Sequence, residues 1–137
     1  MELLRWKARL SVLWVVMAVG TAAEMLLRLL IPGVIEEMMA GEMEGMQISE
    51  GMMVIYALFF LIPLVVAILC LTLNGSANRW LNFVLGIIWV LFFVFDIVGH
   101  ATGGEAVPIA MWLMTIAGLV ISAFIAWFAW RWPKQEV

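Results

Sequence analysis

Cysteine occurs once in the 137-residue chain, at Cys70, so no internal disulfide can form and the thiol does not report a redox compartment. Histidine also occurs once, at His100, which leaves little material for a zinc-type ligand set. Charge is scarce: 12% of residues are charged, against roughly 25% in soluble domains. No basic patch stands out, which argues against a nucleic-acid partner. G-x-S-x-G, H-E-x-x-H, a Walker loop and C-x-x-C are all missing, so nucleophilic and zinc-protease chemistry lack their usual parts. No cofactor fingerprint occurs either, and the cofactor stays unknown. There is no long linker, low-complexity tail or strong repeat, so residues 1–137 read as one domain.

What is present is apolar. Hydrophobic residues make up 66% of the chain, too much for a water-soluble globule. Stretches at 10–31, 52–73, 81–99 and 109–130 approach the roughly 20 residues that cross a hydrocarbon core as a helix. "IPG" at 31–33 stops the first, "LNGSAN" at 73–78 turns the second into the third, and Pro108 suits the first turn of the fourth. The expected fold is all-α: an integral membrane four-helix bundle, multi-pass, in the cell membrane.

Basic residues set its direction. Arg5, Lys7, Arg9, Arg79, Arg131 and Lys134 share one side, and neither loop on the other side holds a Lys or Arg. Six to zero places both termini in the cytoplasm. Trp6, Trp80, Trp130 and Trp132 then form an aromatic belt at the inner interface. "RWKAR", the apolar run after it and "TAA" at 21–23 imitate a secretory leader with its cleavage site. The continuation through Leu26–Ile31 favours a retained membrane helix.

Residues 34–49 carry Ile35, Met38, Met39, Met43 and Met46 at helical spacing, with Glu36, Glu37, Glu44 and Gln47 between them. A short amphipathic helix on the outer surface is expected. Methionines are also soft ligands for Cu(I), but no cysteine or histidine accompanies them here. Gap-filling is the commoner use of this side chain.

Polar groups inside the spans need a reason. Glu24 and Arg28 stand one helical turn apart near the outer end of the first span. A charge near mid-membrane costs about 2.5–3.5 kcal/mol on insertion scales. Glutamate first at i,i+4 lets the two pair, and Arg28 can reach outward. Met17, Gly20, Thr21, Glu24 and Arg28 share one stripe; Asn82, Trp89 and Asp96 repeat every seven residues, with His100 one turn beyond. Tyr56, Pro63 and Cys70 also repeat at seven, and Pro63 leaves the Phe59 carbonyl without its helical donor. Thr115, Gly118, Ser122 and Ala126 form a small-residue face for close helix packing.

With these stripes turned inward, Glu24, Arg28, Tyr56, Asp96, His100 and Thr115 collect in the outer half as a ligand or ion pocket. Apolar and aromatic side chains are expected to seal the inner half. Each residue also has a plainer use: an ion pair at Glu24–Arg28, packing at Asp96, a solvated loop position at His100, interhelical hydrogen bonds at Tyr56 and Thr115. Glu24, Asp96 and His100 as metal ligands make a weak set, and no metal is expected.

"LSVLW", "IPGVIEEMMAG", "GMQISEGMMVIYALFFLIPLVVAIL", "ANRWLNF" and "AWRWP", in this order, resemble a family of small prokaryotic four-helix membrane proteins known only as a domain of unknown function. The resemblance spans nearly the whole chain. It implies four membrane helices and a cell-membrane location, and it supplies no activity, cofactor or catalytic residue. Small multidrug transporters also have four helices and a membrane glutamate in the first, but the signature residues of their other helices are missing here.

Three functions compete. The first is a module that binds or transports a small cation or amphipathic molecule at Glu24 and Asp96. The second is a structural or assembly protein whose buried charges only organise helices. An enzyme using Asp96 and His100 as acid and base has the least support. Expected partners are the lipid bilayer, the small ligand and, in self-association, a second copy.

Overall fold

A computed structural model describes residues 1–133; Lys134, one of the six residues in the basic bias, lies outside them. Among the described residues the order is α1 (Glu2–Arg28), α2 (Val34–Met39), β1 (Glu42–Met43), β2 (Met46–Gln47), α3 (Glu50–Thr72), α4 (Gly75–Thr102) and α5 (Ile109–Trp130). Helices α1, α3, α4 and α5 are long and apolar enough to cross a membrane. The all-α class is borne out.

Helix boundaries have local causes. Pro32 disfavours helical backbone at Ile31, so α1 stops at Arg28 and unwinds through tight turns at Leu29, Leu30 and Ile31 to Gly33, at φ 89°. The Ser49 hydroxyl accepts from the Met52 N–H and starts α3. The Asn74 side-chain Oδ1 does the same for the Ala77 N–H and starts α4. These caps satisfy N–H groups that the first helical turn leaves free. Only Leu73 and Asn74 separate α3 from α4. The helix around the third span therefore begins at Gly75 and runs to Thr102, longer than 81–99 at both ends.

The long helices run alternately up and down. Helix α1 packs against α3 and α5, and α5 packs against α4, while α3 and α4 touch each other far less. Trp14 crosses the centre, its ring edge-on to Trp89 of α4 with centroids 5.5 Å apart. Leu10, Trp14, Val66, Trp89, Phe93 and Ile125 form the core. Outward faces carry exposed Val12, Leu61, Ile68, Leu91, Phe95 and Leu113, an apolar surface too large for a soluble monomer.

Small residues set how closely α4 and α5 approach. A Cβ on Gly86 would stand 2.9 Å from the Ala126 backbone nitrogen, and one on Gly118 would overlap the Phe93 ring. Ser122, also fully buried, turns its hydroxyl back to the Leu119 carbonyl at 2.9 Å.

One end of the bundle holds the N-terminus, the α3–α4 turn and the end of α5. Arg5, Lys7, Arg9, Arg79 and Arg131 belong to this terminus end. Trp6 meets Phe128 and Trp132 there, and Arg79 lies over the rings of Trp80 and Trp130. At the opposite, hairpin end, residues 34–49 depart from a continuous helix. Helix α2 ends at Met39, and β1 pairs with β2 through Glu42–Gln47 and Met43–Met46. Glu44 and Gly45 both have positive φ, 53° and 73°, the geometry of the tightest hairpin turns.

Candidate functional site

The hairpin end gathers polar residues from the four long helices and from the two connections at that end. Glu24 and Arg28 face each other along α1 at 3.5 Å. Arg28 also donates to the Glu44 carboxylate, tying α1 to the hairpin. The hairpin is held in turn by Glu37, whose side chain accepts from the Gly45 N–H at 2.6 Å. An i,i+4 pair with glutamate first and a charged partner from a loop is how a chain keeps such groups from standing alone in apolar surroundings.

Across the bundle, the Thr115 hydroxyl of α5 donates to Asp96 Oδ2 of α4 at 2.9 Å. His100 Nε2 stands 3.7 Å from Asp96 Oδ1, near enough for charge attraction and too far for a hydrogen bond. The imidazole lies edge-on to Trp112 at 5.4 Å, and its buried Nδ1 has no partner among the described residues.

Two cavities connect these groups. A wide one of about 740 Å³ lies beneath the hairpin, and its polar lining comprises Arg28, Glu37, Glu44, Asp96, His100 and Glu105. Met25, Met38, Met43 and Met111 supply much of its apolar wall. A smaller one of about 90 Å³ lies deeper, walled by Glu24, Tyr56, Trp89, Phe93 and Asp96 among others. Met25, Arg28 and Asp96 line both.

Glu24, Arg28, Tyr56 and Asp96 thus border one space, and Arg28, Asp96 and His100 border the other. Thr115 stands behind Asp96, fully buried, and lines neither. Gly118, Ser122 and Ala126 lie further along α5, in the contact with α4. Among the described residues no three of His, Cys, Asp and Glu are arranged to hold a metal ion.

With the whole chain matched, residues 1–137, the family model that fits is described as a family of unknown function, DUF6326. The chain belongs to that family. Membership agrees with the four apolar helices and carries no activity with it. Neither a curated protein nor a solved structure matches the chain.

Reading residues alone misses three contributors, Glu37, Glu44 and Glu105. All sit in connections rather than spans, so no helical stripe points to them. The glycines around Glu44, at 41 and 45, and those before Glu105, at 103 and 104, are the available signal.

The terminus half packs the expected apolar and aromatic side chains, among them Leu10, Trp14, Trp6, Phe128 and Trp132, and encloses a polar network besides. Asn82 Oδ1 accepts from Trp14 Nε1 at 2.6 Å and from Cys70 Sγ at 3.2 Å. The Asn82 amide donates to the Asn78 side chain at 2.7 Å, and the Asn78 amide donates to the Cys70 carbonyl at 2.5 Å. Lys7 Nζ completes the tie by donating to the Leu73 carbonyl at 2.6 Å. Asn78 and Asn82 are fully buried with their hydrogen bonds made. A buried polar network satisfied in this way rigidifies rather than opens.

Proposed function

We propose that this member of the family is a multi-pass protein of the cell membrane, both termini in the cytoplasm, that binds or transports a small amphipathic cation taken up from the outer side. The basic residues and stacked tryptophans of the terminus end support the inner assignment. The observation that carries the ligand reading is the lining of the wide cavity: the carboxylates of Glu37, Glu44, Asp96 and Glu105 against one guanidinium, Arg28. Arg28 and Glu44 neutralise each other, which leaves an excess of negative charge in a space of about 740 Å³. That volume is within the range of sites for small organic molecules, about 300–1,000 Å³. Methionine walls adapt to bulky apolar groups of varied shape. The smaller space past Arg28 adds the carboxylate of Glu24 at the inner edge of the site.

A direct test is titration of the purified protein in lipid nanodiscs with tetraphenylphosphonium, followed by tryptophan fluorescence. Saturable binding is expected, weakened several-fold by Asp96→Asn and by Glu37→Gln with Glu105→Gln, at unchanged helix content. No saturable binding, or binding indifferent to all three changes, overturns the reading.

The chain of contacts Glu24–Arg28–Glu44 favours a second reading, in which the charges only fasten α1 to the hairpin. Under that reading Glu24→Gln and Glu44→Gln lower thermal stability and no ligand response accompanies the loss.

A further inference from the structure

The smaller cavity lies among α1, α3 and α4, behind the one seam of the bundle that is loosely packed. Phe59 of α3 and Phe92 of α4 close that seam, with ring centroids 4.7 Å apart. Both rings line the cavity, and Phe92 is also 39% exposed on the outward face. On the outward face of this seam, that aromatic pair stands in front of the cavity that Glu24 and Asp96 line. Pro63 stands one turn along α3, fully buried, and has no N–H to offer the Phe59 carbonyl. A helix missing that bond bends more readily at the turn involved. The hinge and the closing ring thus share one residue, Phe59.

The cavity walls define what fits. Tyr56, Trp89 and Phe93 provide aromatic faces, and the charged groups are two carboxylates, Glu24 and Asp96, against the single guanidinium of Arg28. Aromatic faces attract a desolvated organic cation, most strongly when the cation carries no N–H groups that need water. About 90 Å³ suits a compact head of the trimethylammonium kind and excludes a bulky aromatic cation.

We propose that this cavity seats the alkylated ammonium head of an amphiphile dissolved in the bilayer, which enters sideways between α3 and α4 past Phe59 and Phe92. Its hydrocarbon chain then trails through the seam into lipid. This rests on the cation reading above and deepens it: the ligand arrives from the membrane, and its head group is small.

Carboxylate labelling tests the seat apart from the wide cavity. Full-length protein in phosphatidylglycerol vesicles is treated with dicyclohexylcarbodiimide, which partitions into lipid, and the adduct is located by mass with Glu24→Gln as the control. Labelling of Glu24 is expected, slowed several-fold by hexadecyltrimethylammonium and much less by tetramethylammonium, which stays in water. Phe92→Ala, at an exposed ring, should speed labelling several-fold, with Phe59→Leu as the second variant should the first fail to fold. Labelling unchanged by both variants, or unprotected by the long-chain amphiphile, overturns the proposal. Equal protection by both ammonium compounds also overturns it, since the head then arrives from water. Tetraphenylphosphonium binding without this protection leaves the wide-cavity reading standing and removes the seat. Protection without tetraphenylphosphonium binding does the reverse.

Discussion

At the scale of single residues, glycines and amides carry most of the packing information. Gly118 faces the Phe93 ring with no room for a Cβ, whereas Gly20 of α1 has open space around it. Gly118→Leu should destabilise the bundle by about 1–3 kcal/mol or more, since overpacking forces neighbours off their rotamers. Gly20→Ala should leave stability unchanged or raise it by up to about 1 kcal/mol, because alanine is the better helix former. Denaturation of the two variants in the same detergent compares them directly. Equal effects would contradict the packing described. Asn82→Ala removes the acceptor of the fully buried Trp14 indole. A buried donor left unsatisfied costs about 1–3 kcal/mol. Asn82→Asp keeps the acceptor oxygens but introduces a charge, so it should be no better tolerated.

Elements differ in how well their sequence announces them. The heptad spacing of Asn82, Trp89 and Asp96 turns all three inward, because a period near 3.5 residues keeps one helical face toward the bundle. The same spacing does not say what Asn82 does there. Asn78 belongs to the turn before the third apolar stretch, and only the early start of α4 at Gly75 brings it under Asn82. Between Val34 and Ser49 the methionine spacing fits a helix, and α2 takes it as far as Met39. Gly41 and Gly45 then place positive φ at two points no continuous helix allows, and a hairpin results. Glu44 reaches Arg28 because of that turn. Gly45→Ala should strain it by about 1–2 kcal/mol. Hydrogen exchange should quicken at Met43–Gln47 while the core of α3 and α5 keeps its protection. Exchange unchanged across the hairpin would show that the turn tolerates a side chain there.

For the molecule as a whole, both halves of the bundle enclose polar groups within an apolar core, but in different ways. The terminus half is tied shut by hydrogen bonds among Trp14, Cys70, Asn78 and Asn82. The hairpin half holds its carboxylates around space. This asymmetry gives the cation reading its direction: a site open at one end and closed at the other. Uptake of a ligand from the outer side into the wide cavity depends on the hairpin end facing outward. Intact cells expressing Glu42→Cys or Ser76→Cys, each with the buried Cys70 changed to Ser, can be treated with a membrane-impermeant maleimide. The account predicts that the cysteine at 42 is labelled from outside and the one at 76 only after the cells are opened. Labelling at 76 but not at 42 in intact cells would contradict it, and the acid-lined cavity would then open to the cytoplasm.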